Sequence, residues 1–540
     1  MCKKIMCEKH IIKSLNIIPP KIENIINNFV DNVSSDYIKK LTLFLKESFS
    51  IDITTESDII QGFDHDWSNI KGYADVLCRP KNILECTIII QICYLLKIPM
   101  TISAGRTNLT GSATPKGGVV ISISNIKEIK SIDLKNKEVT CSPALYIEDL
   151  RNYVISESSN QFIFPVDPTS RKEAMIGGAI SCNASGFTPG KRGAMRYWVY
   201  GLSLILPNGE IVNMKRGEYI SNNGYFVIQH SDDKESKIKV PSYKRINIKN
   251  ASGPFSASDG KIDFIDLIVG SEGIFGCIVE STLKLQESPS DYLNLFIKLK
   301  NEDEAFQLYL DISNYLTGDM SHLSGFEYFG ENCSDYMKHK EYLFDKEYNV
   351  GVYIQIPVYN QNIDAVIESW YEVLMNTQYI NKDEQILSLD DPHNWKKFFE
   401  ARHSMPSNAL QKAKEYKTPS IITDTIVPPS SFNKFIKETH KLIKSKDIDY
   451  LLFGHLGDCH LHFHLIPNAS SKDIAQNCYH DIIKLSSTLG GVYSAEHGTG
   501  KRKRQDFIEC YGNEAALEIK ECKRGLDPNF LLNRGNVFNI

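Results

Sequence analysis

The sequence predicts an α+β protein of several domains, and three observations carry that reading. Its 540 residues, at ~150 residues per domain, suggest roughly two to four domains. Between Asp75 and about Leu285, short apolar runs alternate with a helix-spaced segment and with turn residues. From Leu293 a second rhythm begins: strand, helix, strand, strand, helix. That order fits helices laid over one antiparallel sheet.

The elements follow in chain order. Residues 1–50 carry apolar side chains at helical spacing (Ile22, Ile25, Ile26, Phe29, Val30, then Leu41, Leu43, Phe44, Leu45) and read as a helical N-terminal extension. ADVLCRP is a strand closed by Pro80, and Asn82 is placed to cap a helix over Ile83–Leu96. Apolar runs follow at Val119–Ile123, Val199–Leu206 and Phe264–Val269, the last read as a strand. Between Tyr219 and Lys261 the chain turns polar, which suggests a long excursion or lid outside the core. LNLFIKL, LSGFEYF and VGVYIQIPV read as strands, Glu302–Tyr315 and Asp364–Met375 as helices. Two more helices are expected, over Asp473–Leu489 and over Glu514–Arg524, the latter stopped by Gly525.

Composition excludes several classes. With 61 basic and 66 acidic residues the formal charge is -5, so nothing points to nucleic acid as a partner. The greasiest stretch, CTIIIQICYLL from Cys86, is about half of the ~20 residues that span a bilayer. Thirteen cysteines are scattered without a C-x-x-C pair, which favours reduced thiols over a disulfide or metal–thiolate framework. The N-terminal MCKKIMCEKH has no apolar core of a secretory signal. A cytoplasmic protein is expected, with peripheral contact to the inner face of a membrane left open.

Six motifs carry chemistry. SAGRTNLTGSATPKGG (Ser103–Gly118) offers backbone N–H groups and hydroxyls to an anion, without the spacing of a Walker or dinucleotide loop. FPVDPTSRKEAMIGGAISCNASGFTPGKRG (Phe164–Gly193) repeats that small-polar theme. Two such loops in one α/β region favour a phosphate-rich cofactor. GSEGIFG (Gly270–Gly276) adds a third glycine-rich turn. In LFGHLGDCHLHFHLIP, His460, His462 and His464 alternate with Leu461, Phe463 and Leu465. Three imidazoles therefore share one strand face, with His455 just before them. SAEHGTGKR then supplies Glu496 and His497. Two neutral histidines and one carboxylate suit a divalent ion such as Zn²⁺ or Mn²⁺ with positions left open. Arg402, in WKKFFEARHSM, is the side-chain type suited to bidentate carboxylate recognition. Lys501–Arg504 reads as a solvated or phosphate-facing patch.

Taken together these motifs resemble the FAD-linked oxidases of the vanillyl-alcohol oxidase/p-cresol methylhydroxylase (PCMH) superfamily. Within it they are most similar to the D-lactate dehydrogenase, D-2-hydroxyglutarate dehydrogenase and glycolate oxidase flavoprotein group. The resemblance covers residues 55–540 and rests on TNLTGSATPKGGVV, PVDP with IGGAISCNASG, GSEGIFGCIVE, GHLGDCHLH, SAEHGTGKRKR and LDPNFLLNRGNVF, six signatures in the family's order. EARHSM followed by TDTIVP is similar to the D-lactate branch.

The resemblance implies a two-subdomain FAD-binding (PCMH-type) domain over 51–285 and a ferredoxin-like antiparallel-sheet cap over 286–489. Residues 490–540 would complete the active site. It assigns non-covalently held FAD to Gly105, Arg106, Thr107, Asn108, Gly111, Ser112, Pro165, Asp167, Gly177, Gly178, Asn183, Ala184, Gly186, Glu272, Gly273, Ile278 and Asn533. It makes His455, His462 and Glu496 the metal ligands, Arg402 the carboxylate clamp and His497 a base, with Lys417 a further substrate contact. The implied reaction is oxidation of a small D-2-hydroxy acid, D-lactate first, with hydride transfer to flavin N5. The electron acceptor (quinone, cytochrome or electron-transfer flavoprotein) and a homodimeric state stay open. So do a glycolate- or hydroxyglutarate-specific enzyme and a flavin transferase of the alkylglycerone-phosphate synthase type. His460 and His464 depart from the family pattern, which usually has Asn there, and Ala104 and Arg106 flank Gly105 where the family has consecutive glycines.

Overall fold

The computed structural model describes residues 10–33 and 37–540. The N-terminal nine residues up to Lys9, with Cys2 and Cys7, lie outside the described residues. A four-stranded sheet runs in the order Asp52–Thr54, Val76–Arg79, Val119–Ser122, Met100–Ser103, parallel except at its first pair. The helix Ile83–Leu95 forms the crossover, and Asn82 caps it by accepting from Glu85 N at 2.9 Å. This helix is apolar almost all round because it is covered on both sides. Ile88, Ile89, Ile90 and Ile92 share one core with Val76 and Val119 of the sheet and with Ile26, Leu41 and Leu45 of two N-terminal helices (Pro20–Asn32 and Tyr37–Phe49). No helix among the described residues is long and apolar enough to cross a membrane.

A second, five-stranded sheet has the order Ile211–Lys215, Val199–Ile205, Cys277–Lys284, Glu138–Cys141, Ile129–Asp133. Its pairs are all antiparallel. Three expectations are corrected in this region. Phe264–Ile268 is a short helix, with Asp263 accepting from Ile265 N as its cap; four of its five residues are buried, and that hides its period. The polar stretch 219–261 does not lie wholly outside the core. Tyr225–Gln229 and Glu235–Lys239 form a hairpin whose Phe226, Ile228 and Ile238 enter the main core. The N-terminal extension is not wholly helical either, since Ile11–Lys13 pairs in parallel with that hairpin.

The third sheet has seven strands, in the order Ile386–Ser388, Asp291–Leu299, Val350–Val358, Gly325–Phe329, Asp449–His455, His460–Ile466, Ile421–Ile422. Every pair in it is antiparallel. Helices Glu302–Tyr315, Ile363–Met375 and Pro429–Lys444 pack Leu308, Leu374 and Phe435 against one face, together with Leu461, Phe463 and Leu465. The opposite face is covered too, by helix Pro392–Glu415, whose Phe398, Ala401 and Met405 join Phe329, Leu451 and Ile466. Helices therefore flank both faces of this sheet.

Helix Arg504–Leu526 is longer than the expected 514–524 and is kinked at Gly512, where φ is 82°. Gly525 lies inside it instead of ending it. A Cβ there would come within 3.0 Å of Ile238 Cδ1, so the glycine serves close packing on the hairpin. Beyond it, Leu532 bridges to Met100, so the tail runs beside the edge strand of the first sheet.

Candidate active site

Period-two alternation puts the chemistry of the third sheet on one face. Glu327 pairs with His455, and His455 pairs with His460 across the hairpin turn. Antiparallel partners point to the same side. Glu327, His455, His460, His462 and His464 therefore all face helix Pro392–Glu415, which contributes Arg402. The loop 494–497 approaches from outside the sheet, tied to Asp424 by hydrogen bonds from Glu496 N (3.2 Å), His497 N (3.0 Å) and Ser494 Oγ (2.5 Å).

Second contacts fix which imidazole nitrogen is free. His455 Nδ1 meets Glu327 Oε1 at 2.6 Å, which leaves Nε2 facing Glu496 Oε1 at 3.5 Å. His462 Nδ1 donates to the Thr423 carbonyl at 3.1 Å, which leaves its Nε2 free. A ligating histidine is normally held this way, by a carboxylate or carbonyl on its other nitrogen. His455, His460, His462 and Glu496 each offer one donor atom within 4.8 Å of all the others, and so do Asp424, His462 and His497. The donor chemistry of imidazoles with one carboxylate fits a borderline divalent cation.

The site is internally charge-compensated. Glu327, 1% exposed, accepts from Arg402 Nη2 at 2.7 Å as well as from His455. Burial pushes its carboxyl upward, but His455 and Arg402 outweigh that and hold it down at about 2. Burial likewise lowers His455, while Glu327 and Glu496 more than offset this and raise it to about 10. Lys249, buried, donates to Glu496 Oε1 at 2.6 Å and to Asp458 Oδ2 at 3.1 Å. Lys503, also buried, donates to Asp424 at 3.0 Å. Burial pushes His497 below the ordinary histidine range, against the pull of Asp424, whose Oδ2 lies 3.5 Å from its Nδ1.

One cavity of about 490 Å³ joins this cluster to the glycine-rich loops. Arg402, His455, His462, Glu496 and His497 line it at one end. Gly105, Arg106, Thr107, Asn108, Ser112, Asp167, Gly177, Gly178, Ala184, Gly186, Glu272, Gly273, Ile278 and Asn533 line the rest. Its backbone packs too tightly for side chains at key turns. A Cβ on Gly105 would lie 2.2 Å from the Glu173 carbonyl, and one on Gly186 would lie 2.0 Å from Asp167 Oδ1. The buried Ser112 hydroxyl has no protein partner there. An orphaned hydroxyl in a pocket walled by glycine backbone fits a polar cofactor lying against the chain.

Four expected residues lie off the cavity wall. Gly111 shapes the turn (φ 83°), and its carbonyl accepts from Lys501 Nζ. Pro165 is buried behind the turn that presents Asp167. Asn183 caps a helix in the left-handed conformation, and its side chain accepts from Arg196 N. Lys417 is exposed on the turn after helix Pro392–Glu415. The basic run is not a solvated patch. Lys501 and Arg502 donate to the Gly111 and Ser68 carbonyls, Lys503 to Asp424 and Arg504 to the Gly535 carbonyl, so each pins a loop.

Sequence reasoning missed Lys249, Glu327, Asp424, Asp458 and Lys503. Glu327 had a signal, an acidic residue inside the apolar strand LSGFEYF, because a buried carboxylate needs partners. Lys249 had none, because its segment is polar throughout.

The glycine-walled cradle and the buried histidine–carboxylate face beside it are those of an FAD-dependent oxidoreductase. Residues 74–215 match the family described as "FAD binding domain", and residues 354–537 match "FAD linked oxidases, C-terminal domain". The two matches span more than half of the chain, and the chain belongs to the FAD-linked oxidases. It is 26% identical over 507 residues to a D-lactate dehydrogenase of Anaerostipes hadrus, covering 89% of this chain and 93% of that one. It is 25% identical over 475 residues to the glycolate oxidase subunit GlcD of Bacillus subtilis (strain 168), covering 86% and 89%. Its fold is similar to that of p-cresol methylhydroxylase with substrate bound, with a TM-score of 0.65 at 14% identity over 94% of this chain and 98% of that chain. That likeness places the chain in the PCMH-type fold class, joined to a cap sheet that is antiparallel throughout.

Proposed function

We propose that the chain oxidises a small D-2-hydroxy acid, D-lactate first, to the 2-oxo acid. The observation that carries this is the convergence of Arg402, the His455–His462–Glu496 donor set and the flavin cradle on one cavity. When bound, FAD accepts the two electrons of the alcohol, and a divalent cation, Zn²⁺ or Mn²⁺, supplies Lewis acidity toward the hydroxyl and carboxylate oxygens.

The protein's own groups bind, orient and take the proton. Arg402 spends one N–H on Glu327 and lies over the Phe187 ring at 4.4 Å, so its fork is held rigid for a carboxylate. His455, His462 and Glu496 hold the cation. His497 is fixed by Asp424 on one side, lines the cavity on the other, and receives the hydroxyl proton. Pro406, Ile422 and Phe453 line the cavity beside the histidines, and such apolar surface suits a short aliphatic chain better than a second charge. The relatives named as a D-lactate dehydrogenase and a glycolate oxidase subunit support small hydroxy acids as the substrate class.

Anaerobic addition of D- and L-2-hydroxy acids to the FAD-loaded protein tests the reading. The flavin absorbance should bleach with D-lactate, less with D-2-hydroxyglutarate and not with L-lactate, and a chelator should block the bleaching. A flavin that no hydroxy acid reduces would overturn it.

Glu327 is a positioning residue in this scheme, because it holds the clamp and a metal ligand at once. Glu327→Gln keeps the shape but loses the charge, and the loss of such an outer partner typically costs 10–100-fold. The expected result is a kcat/KM lower by roughly that factor at unchanged flavin content, with both KM and kcat affected, measured by steady-state kinetics.

A further inference from the structure

His460 stands apart from the other histidines of its strand. It is fully buried, and neither ring nitrogen makes a well-formed hydrogen bond. A buried imidazole whose Nδ1 has no hydrogen-bond partner is costly to keep, so that nitrogen calls for a ligand or a role. Its surroundings point to one. Nε2 lies 3.1 Å from Asp424 Oδ1, and on the opposite edge Nδ1 lies 4.0 Å from Glu496 Oε1. The ring centroid is 4.5 Å from that of His462 and 5.5 Å from that of His455.

We propose that His460 is a fourth protein ligand of the cation, binding through Nδ1 and oriented by Asp424. The inference rests on the metal reading given above and extends it from three protein donors to four. Each of the three imidazoles then has the same arrangement: an oxygen on one nitrogen (Glu327 for His455, Thr423 for His462, Asp424 for His460) and the other nitrogen turned inward. The four donor atoms lie within 4.8 Å of one another. A contraction of roughly 1 Å brings them to the separations of a first coordination shell with bonds of about 2.0–2.2 Å. Glu496 Oε1 already receives Lys249, so that ammonium offsets the carboxylate while the imidazoles supply the nitrogen donors.

Four donors have a chemical consequence. A tetrahedral ion held by four protein ligands is closed, as in structural zinc sites, whereas a catalytic ion keeps a position open. Substrate oxygens could join this ion only in a five- or six-coordinate shell. Imidazole donors suit Zn²⁺, and zinc expands to a five-coordinate shell, so the set favours a Zn²⁺ ion that takes a substrate oxygen as an added ligand.

The test uses the FAD-loaded protein stripped with a chelator, and it reads the metal, not turnover. Wild-type protein should take up one equivalent of Zn²⁺ or Co²⁺, and zinc-edge X-ray absorption should count three imidazoles. His460→Asn should weaken binding in a chelator competition by at least about 10-fold and change the visible spectrum of the Co²⁺ form. Two imidazoles in the wild type, or a variant with unchanged affinity and spectrum, would overturn the fourth ligand and leave the three-donor reading intact. A wild-type protein that binds neither ion would overturn both. The imidazole count needs no variant, so misfolding of His460→Asn cannot rescue the idea.

Discussion

His462→Ala is expected to abolish turnover, by about 10³-fold or more in kcat, while the protein stays yellow with bound flavin. The size follows from what the imidazole does at its place. His462 sits at the centre of the cluster, with its ring 4.5 Å from His460, 5.7 Å from His455 and stacked at 5.6 Å on His497. Its Nδ1 is committed to the Thr423 carbonyl, so truncation removes the free Nε2 and leaves that carbonyl unpaired. Loss of a central donor should empty the cation site, and Lewis-acid assistance of this kind supplies several kcal/mol of barrier lowering, which is a factor on the order of 10³. The orphaned carbonyl adds a stability cost of about 1–3 kcal/mol. The flavin loops stand on other elements, around 105–112, 177–186 and 272–273, so flavin content should stay near one equivalent. Stopped-flow bleaching with D-lactate, alongside metal analysis, reads both effects. Undiminished bleaching in a metal-free variant would remove the cation from the reaction.

The same cluster shows what was legible in the sequence. Alternation of period two placed His460, His462 and His464 on one strand face, because one-residue spacing in an apolar strand is a local property. Helix bounds such as Glu302–Tyr315 were legible for a similar reason, with Asn301 capping by accepting from Glu304 N. Partners were not legible. Glu327 is 128 positions from His455, and Asp424 is 73 from His497; strand pairing brings the first two together, and hydrogen bonds from a loop outside the sheet bring the second two. Lys249 was invisible for a further reason. Its segment reads as solvated, yet its ammonium is buried between two carboxylates. Fully buried elements misled in the opposite direction. Phe264–Ile268 has a single polar residue, Asp266, and is too short for that to reveal its period, so a short helix resembled a strand. The glycine loops gave the cofactor class but not each contact, since Gly111 and Asn183 are needed for the turns and not for the wall.

Lys523→Met is expected to cost 3–5 kcal/mol and to release the flavin, although the residue lies outside the cavity. Its side chain is 1% exposed, and its Nζ donates to the Ile274 carbonyl (2.7 Å), the Leu532 carbonyl (2.8 Å) and Asp527 Oδ2 (3.0 Å). Methionine fills much of the volume but leaves Asp527 as an uncompensated buried charge, and breaking one side of such a pair costs about 3–5 kcal/mol. The damage should travel along the tail. Leu532 N also donates to Asp527, and the next residue, Asn533, accepts from Ile102 N and donates to the Glu272 carbonyl. Asn536 then joins the carbonyls of Ser112 and Glu272. These bonds stitch together three cavity loops that are remote in sequence, so loosening the tail loosens the cradle. Retained flavin absorbance and a lowered thermal midpoint read the two effects. The double change Lys523→Met with Asp527→Leu removes both charges, and replacing a whole buried pair by apolar residues is often neutral. It should therefore recover part of the lost stability, held back by the unpaired Leu532 N. A single variant that keeps its flavin and its midpoint would show that the tail is anchored elsewhere, and the cradle would then owe its shape to the glycine loops alone.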